Sequence, residues 1–382
     1  MIYYKDMSKG QVLLLHISQI SGHRSANLAI ENALRSLDPE MQTLSIDAFS
    51  YTNPLLERIV NRLYMVMLKY FPGLWERLYD HQGVLKRVEP ARSCILSLNI
   101  RKIRRLIERF SPDIVVCTQA FPCNMVADYK KRYNRKLPLV GVLTDYAPHS
   151  YWISPYVDIF VVPAPVIAER FVQKGVPEQG VRVIGIPIDP KFKQKKEGLQ
   201  ILNRLGLLEQ VDTILIMGGG QGLGPIKKMV FNLVRIKKPL QLIVVCGTNR
   251  PLFRWLNKNK GKFRQRVAVL GYTDQVHNLM ATAKIIITKP GGVTVAEALS
   301  QALPIIIVNP LPGQETQNTR FLTESGVAVV VRQLDRLAET LEKLLSNSKL
   351  LEQMRQKALA LKQEDSALKI ARLLLELTAK QK

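Results

Sequence analysis

The stretch Thr288–Ile307, TKPGGVTVAEALSQALPIII, decides the fold. The β-branched run Ile285–Thr288 leading into it reads as a strand buried on both faces. Pro290, Gly291 and Gly292 turn the chain, and a helix is expected from about Thr294. Pro304–Val308 reads as the next strand. Strand, glycine turn, helix and strand make the repeating unit of a parallel α/β sheet. The expected helix start puts Glu297 in the first turn. A carboxylate there can accept two hydrogen bonds from vicinal hydroxyls such as those of a ribose; it would equally suit the positive end of the helix dipole. The next loop, NPLPGQETQN over Asn309–Asn318, brings Gln314 and Glu315. They form a donor–acceptor pair suited to sugar hydroxyls, or a plain polar loop.

Working outward, the same unit recurs along the chain. Strands are expected at Val12–His16, Ile114–Thr118, Leu139–Thr144, Ile159–Val162 and Val181–Gly185, then at Thr213–Met217, Leu242–Cys246 and Val267–Leu270. The chain has 382 residues, more than one core usually serves. Pro187–Gln200, PIDPKFKQKKEGLQ, carries two prolines and four lysines and reads as a linker. The expected division is a Rossmann-like domain over 1–186, a linker over 187–210, and a second Rossmann-like domain over 211–382 that includes the C-terminal helices.

Composition narrows the class. Hydrophobic residues make up 47% and charged residues 23%, the balance of a folded globular chain. Lys and Arg number 55 against 31 Asp and Glu, a formal net charge of +24. Such a surplus points to nucleic acid, an anionic membrane or a phosphorylated substrate. Four scattered cysteines (Cys94, Cys117, Cys123 and Cys246) suggest neither a disulfide framework nor a zinc site, and fit a reducing setting. The N-terminus has no apolar signal core, and no run of 18 uncharged apolar residues occurs.

Two more segments follow strands. After Val12–His16 comes ISQISGHRSA, then a helical pattern over Asn27–Leu37. Gly22 permits close approach, and His23 at the helix start is a candidate general base, or a polar loop histidine with a capping role. After Thr213–Met217 comes GGGQGLG, Gly218–Gly224, whose N–H groups can cradle a diphosphate; a flexible strand-to-helix turn reads similarly. It is not a P-loop, because no Gly-Lys-Ser/Thr follows. Asp145 closes a strand, where cleft residues of such sheets lie, and suits either orienting a base, contacting an acceptor or capping.

These spacings resemble the family 28 glycosyltransferases. The nearest branch is the diacylglycerol β-glycosyltransferases: monogalactosyldiacylglycerol synthases and processive diacylglycerol glucosyltransferases. The resemblance covers nearly the whole chain and is strongest over Val267–Val329. GHRSA, TDYAPHSYW at Thr144–Trp152 and IGIPIDPKF at Ile184–Phe192 match that branch in order and spacing. One departure is that Ile20 and Ser21 precede Gly22 where the branch carries glycines.

The resemblance implies the GT-B arrangement, two facing Rossmann-like domains with an interdomain cleft, and a UDP-sugar donor in the second domain. Carried over by position, Glu297 would hold the ribose, Thr273 would meet the uracil through its backbone, and Tyr272 would lie beside the base. Gly219, Gly220 and Gln221 would line the diphosphate with Gly291 and Gly292. Gln314 and Glu315 would contact the transferred sugar. His23 and Gly22 would face the acceptor, with Asp145, His149 and Trp152 around it. No Asp-x-Asp occurs, so no metal or other cofactor is expected; N–H groups, helix N-termini and Lys289 would stabilise the leaving diphosphate.

Residues 53–110 read as a helical insertion. Leu56, Ile59, Val60, Leu63, Met67, Tyr70, Phe71 and Leu74 recur at helical spacing, with Arg58, Arg62 and Lys69 opposite, and Pro72-Gly73 ends the pattern. Residues 54–110 hold 12 basic and 5 acidic side chains, with Tyr64, Trp75 and Tyr79 among the aromatics. A basic aromatic helix suits an anionic interface, or an ordinary core-facing helix. Lys227–Arg266 holds 12 basic and no acidic residues, a second electrostatic contact for anionic lipid. No nucleic-acid-binding motif accompanies it, so nucleic acid is not the expected partner. The expectation is a peripheral enzyme on the cytoplasmic side of a membrane, moving a hexose from a UDP-sugar to diacylglycerol. Open alternatives are N-acetylglucosaminyl transfer to a polyprenyl-diphosphate lipid, a UDP-sugar epimerase, and a non-catalytic lipid- or nucleic-acid-binding protein.

Overall fold

Val12, Leu13, Leu14 and Leu15 have no exposed surface, and neither do Ile285, Ile286 and Ile287. Runs of this kind fit strands covered by helices on both faces. A computed structural model describes residues 10–18, 21–55, 58–59, 62–63, 66–67, 99–146, 150–194, 198–363 and 365–379. They form two compact units, one from most of residues 1–190 with Asp365–Lys382, the other mainly Lys191–Glu364.

The first unit holds a six-stranded sheet of β1 (Gln11–His16), β2 (Gln42–Asp47), β3 (Ile114–Cys117), β4 (Leu139–Val142), β5 (Ile159–Val162) and β6 (Val181–Val183). Every pairing is parallel, in the order β2-β1-β3-β4-β5-β6. The second unit repeats this with β7 (Thr213–Met217), β8 (Gln241–Val245), β9 (Arg266–Leu270), β10 (Ile285–Thr288), β11 (Ile305–Val308) and β12 (Ala328–Val331). Its order is β12-β11-β10-β7-β8-β9, again parallel. Each sheet therefore reverses its strand order once, between β1 and β3 and between β7 and β10. Ligands of such sheets bind beyond the strands' carboxyl ends at that reversal.

Sequence reasoning finds ten of these strands and misses β2 and β12, each at a sheet edge. The β2 segment, QTLSID, mixes polar and apolar residues and is only half-covered, so it lacks the continuous apolar signature of an interior strand.

The expected linker is shorter than 187–210. Residues from Lys191 group with the second unit. Helix Gly198–Arg204 buries Ile201 and Leu202, and the buried Gln241 amide bonds both the N–H and the carbonyl of Leu208. A second correction concerns the end of the chain. Helix Ser366–Ala379 packs on the first sheet, where Ala367, Ile370, Ala371 and Leu374 join Val12, Leu14, Ile114 and Val140 in one core. Ser366 Oγ donates to the Ile186 carbonyl at 2.8 Å. Its apolar stripe completes a face of the first sheet, so it does not belong to the second domain. Of the 53–110 insertion, Pro72-Gly73 and the aromatics Tyr64, Tyr70, Phe71, Trp75 and Tyr79 lie outside the described residues.

Leu374 has no exposed surface, so Leu374→Ala should destabilise the first unit by about 2–5 kcal/mol. Native-state hydrogen exchange checks this: protection should fall in β1 and β3 and stay unchanged in β7 and β10.

Candidate functional site

His23 lies just beyond β1, at the start of helix Gly22–Leu37, at the β1/β3 reversal. Its Nδ1 lies 2.9 Å from the Thr118 carbonyl oxygen and 2.9 Å from Thr144 Oγ1. A carbonyl can only accept, so Nδ1 carries the proton and Nε2 keeps its lone pair. Thr118 in turn donates its hydroxyl to the His23 carbonyl at 2.9 Å. Ring and backbone are thus clamped by one residue. The Thr144 hydroxyl donates onward through long contacts, 3.4 Å to Asp145 Oδ2 and 3.5 Å to the Thr118 carbonyl. Asp145 therefore reaches the imidazole through Thr144.

Burial pulls the His23 pKa down to about 4; the Thr118 carbonyl bond opposes this and nearby His16 adds to it. The ring is neutral near pH 7 with one nitrogen available to take a proton. Four residues along the helix, Asn27 lies on the same side. Its amide nitrogen stands 3.1 Å from Nδ1 of His16, which ends β1 in register with Asp47. His16 Nε2 and Asn27 Oδ1 are buried without a hydrogen-bond partner among the described residues. Burial lowers the His16 pKa as well, with Asp47 opposing and Arg24 reinforcing.

In the second unit the glycine loop follows β7 and the Lys289–Gly291 turn follows β10, one on each side of the other reversal. Gly222 (φ 59°) and Gly247 (φ 55°) let the loops after β7 and β8 interlock. A methyl at Gly222 would stand 2.0 Å from the Cys246 oxygen, and one at Gly247 2.2 Å from the Gly220 oxygen. The Thr248 N–H bonds the Gly220 carbonyl at 3.0 Å, and Asn249 Nδ2 the Gly222 carbonyl at 3.2 Å. The loop is a braced turn rather than a flexible one.

Lys289 runs between the two loops. A methyl on Gly219 would lie 3.5 Å from Lys289 Cε, and one on Gly291 3.6 Å from Lys289 Nζ. Gly291 caps helix Gly292–Ser300, so the ammonium sits at a helix N-terminus. Nζ pairs with Glu315 Oε1 at 2.5 Å. Fully buried Asn318 fixes the turn by donating to the Pro290 carbonyl at 2.9 Å. The structure thus brings Gly219, Lys289, Gly291 and Glu315 together where an anion would meet an ammonium and a helix N-terminus.

The other expected residues also stand beyond strand ends of this unit. Tyr272 and Thr273 follow β9; Tyr272 is 65% exposed, and Thr273 Oγ1 accepts the Gln275 N–H at 3.1 Å. Gln314 opens helix Gln314–Glu324. Glu297 requires a correction: the helix begins at Gly292, so Glu297 stands in its second turn. The dipole effect fades beyond the first turn and no longer accounts for a carboxylate there. Gly22 is exposed, whereas in the first unit Trp152 is buried on the short turn Ser150–Trp152. Asn124 Nδ2 ties that turn down through the Tyr151 carbonyl at 2.5 Å, so Trp152 packs inside the unit. His149 lies outside the described residues. Sequence reasoning missed Thr118, Thr144 and Asn318 as site residues. The first two stand just past the ends of β3 and β4, inside segments read as strand.

The family model described as monogalactosyldiacylglycerol (MGDG) synthase matches residues 23–188. The one described as glycosyltransferase family 28 C-terminal domain matches residues 213–371. A processive diacylglycerol beta-glucosyltransferase of Staphylococcus epidermidis is 29% identical over 370 residues, covering 96% of this chain and 93% of that protein. Among solved structures, Acinetobacter baumannii MurG aligns with a TM-score of 0.63 at 15% identity, over 96% of this chain and 99% of that one. Anabaena HepE, solved in complex with UDP-glucose, aligns at 0.55 and 14% identity, over 97% and 99%. These likenesses to solved structures establish the GT-B fold, two Rossmann-like domains in one chain.

The clamp on His23 predicts its titration. In nitrogen-15 NMR, Nε2 should be the unprotonated nitrogen at pH 7, and the ring should protonate near pH 4. Folding stability contributed by this group is present above pH 6.5, where both states are neutral. It falls between 6.5 and 4, because the unfolded chain takes up the proton first, by on the order of 3 kcal/mol. A midpoint near 6.5 in the folded protein would contradict the burial argument.

Proposed function

The chain belongs to glycosyltransferase family 28, in its diacylglycerol glycosyltransferase branch, and on that footing we propose that it transfers a hexose from a UDP-sugar to the free hydroxyl of diacylglycerol, with inversion, at the cytoplasmic face of a membrane. The observation that carries this reading is the neutral His23, its Nδ1–H engaged by Thr118 and Thr144. The free Nε2 takes the acceptor proton as the hydroxyl oxygen attacks the anomeric carbon in line. The new carbon–oxygen bond forms as the bond to the diphosphate breaks, and a single displacement inverts the centre. The negative charge left on UDP falls to Lys289, the helix end at Gly291 and the turn Gly219–Gln221. Glu297 holds the ribose hydroxyls, Tyr272 and Thr273 the base, and Gln314 the sugar.

The described part of the insertion supports docking on lipid. Leu55, Ile59, Leu63 and Val66 recur at helical spacing and are 67%, 48%, 59% and 40% exposed, with Arg58 and Arg62 exposed between them. An exposed apolar ridge rimmed by cations suits an anionic interface. No helix among the described residues is long and apolar enough to cross a membrane. Cys117, Cys123 and Cys246 are free thiols, consistent with a reducing compartment.

The deciding experiment incubates the protein with diacylglycerol and labelled UDP-glucose or UDP-galactose and separates the lipids. A labelled hexosyl-diacylglycerol is expected; its absence with both donors rejects the reading. His23→Ala should cut turnover roughly a hundred- to ten-thousandfold and leave donor affinity unchanged. Glu297→Ala should weaken UDP binding first.

The ridge gives its own prediction. The triple substitution Leu55→Ser, Ile59→Ser and Leu63→Ser should reduce co-sedimentation with anionic vesicles and preserve UDP binding. Unchanged vesicle binding would remove the ridge from the interface.

A further inference from the structure

Resting on the UDP-sugar reading above, we infer that Glu315 is a positioning residue for the diphosphate rather than a contact to the transferred sugar. Both of its carboxylate oxygens are bonded within its own unit. Oε1 holds the Lys289 ammonium at 2.5 Å, and Oε2 accepts the Leu311 N–H at 2.9 Å. The side chain is buried, with 11% exposure. These two bonds orient the carboxylate toward Lys289 and Leu311, and little of its surface is left to meet a sugar hydroxyl.

The location of the lysine says what the pair is for. Lys289 Nζ stands at the N-terminal end of helix Gly292–Ser300, 3.6 Å from where a methyl on Gly291 would be. A cation there faces the positive end of the helix dipole and is repelled by it. Its four-carbon stem also loses rotamer freedom when held. Lys289 therefore stays beside Gly219 and Gly291 because Glu315 anchors it, and Glu315 is itself fixed from the other side by Leu311. The result is an ammonium and a helix N-terminus converging at the β7/β10 reversal. Neither would be held there for a neutral sugar; both favour a diphosphate.

The test is a set of binding titrations on the full chain with three probes: UDP-glucose, UDP, and uridine, which has no phosphate. Glu315→Ala should weaken UDP-glucose and UDP by the same factor, roughly tenfold, the loss of one charged hydrogen bond. Uridine binding should not change. The double variant with Lys289→Met should bind UDP no more weakly than Lys289→Met alone, because both act through one ammonium. Glu315→Gln, which keeps an acceptor for Lys289, should lose less than Glu315→Ala. A loss confined to UDP-glucose overturns the inference and returns Glu315 to the sugar. So does tighter UDP binding by Glu315→Ala, and so does an equal loss for uridine, which marks a disturbed fold. If the unaltered protein binds neither UDP nor UDP-glucose, the donor reading itself falls, a result separate from the other three.

Discussion

A parallel sheet that winds one way from its first strand and then the other leaves two neighbouring strands whose following segments depart to opposite faces. The gap between those segments is lined by strand ends and a helix N-terminus, and no side chain has to be removed to open it. Both units depend on this. In the first, the gap between β1 and β3 is spanned by the reciprocal bonds of His23 and Thr118. In the second, the gap between β7 and β10 is flanked by Gly219 and Lys289. One topology therefore supplies two different chemistries. Desolvation keeps an imidazole neutral in one unit, whereas an anchored cation and a helix end gather positive charge in the other.

The helix Gly22–Leu37 shows how the base is held. Its inner side carries His23 and Asn27, four residues apart. His23 bonds the segments after β3 and β4, and Asn27 bonds His16 at the end of β1. Three strands thus fix the helix start. Burial keeps the imidazole neutral, and these acceptors, rather than a carboxylate on the ring, define its tautomer. Asp145 acts at one remove, through Thr144, so its charge biases the hydroxyl and only indirectly the imidazole.

Interior strands were legible in the sequence because burial on both faces requires continuous apolar runs, as in Ile285–Thr288. The edge strand β2 was not: QTLSID is only partly covered and its polar residues hide the strand period. Chain order misled twice. Helix Ser366–Ala379 has an apolar stripe that fits either sheet, and only packing shows which it covers. The linker composition of Pro187–Gln200 masks Ile201, Leu202 and Leu207, which are buried just beyond it. At the sites, glycines and the histidine stood out because their residue types are unusual after a strand. Thr118 and Thr144 did not, because threonine is an ordinary strand residue; one residue of strand fraying decides whether it extends the ladder or reaches a ring nitrogen. Lys289 and Glu315 are 26 residues apart, and no local pattern pairs them.

Charge is distributed in a way that separates attraction from contact. Lys227–Arg266 holds 12 basic and no acidic residues, yet much of it precedes β8 and β9, at the strands' amino ends. The proposed diphosphate contacts stand at the carboxyl ends of β7 and β10, the opposite edge of the same sheet. Within this patch Lys227 lies over the Trp255 ring at 3.9 Å, and Phe231 and Phe263 stack nearby, so some of the charge is tied to the surface of the unit. Over distances beyond about 10 Å salt screens such cations strongly. The patch therefore stands apart from the proposed diphosphate contacts. Insertion residues Leu55, Ile59 and Leu63 differ in kind: apolar area gains nothing from a field and acts only once in contact with lipid. Charge on one unit and an exposed apolar ridge on the other thus differ in physical kind, and added salt should act on the first while loss of apolar area acts on the second.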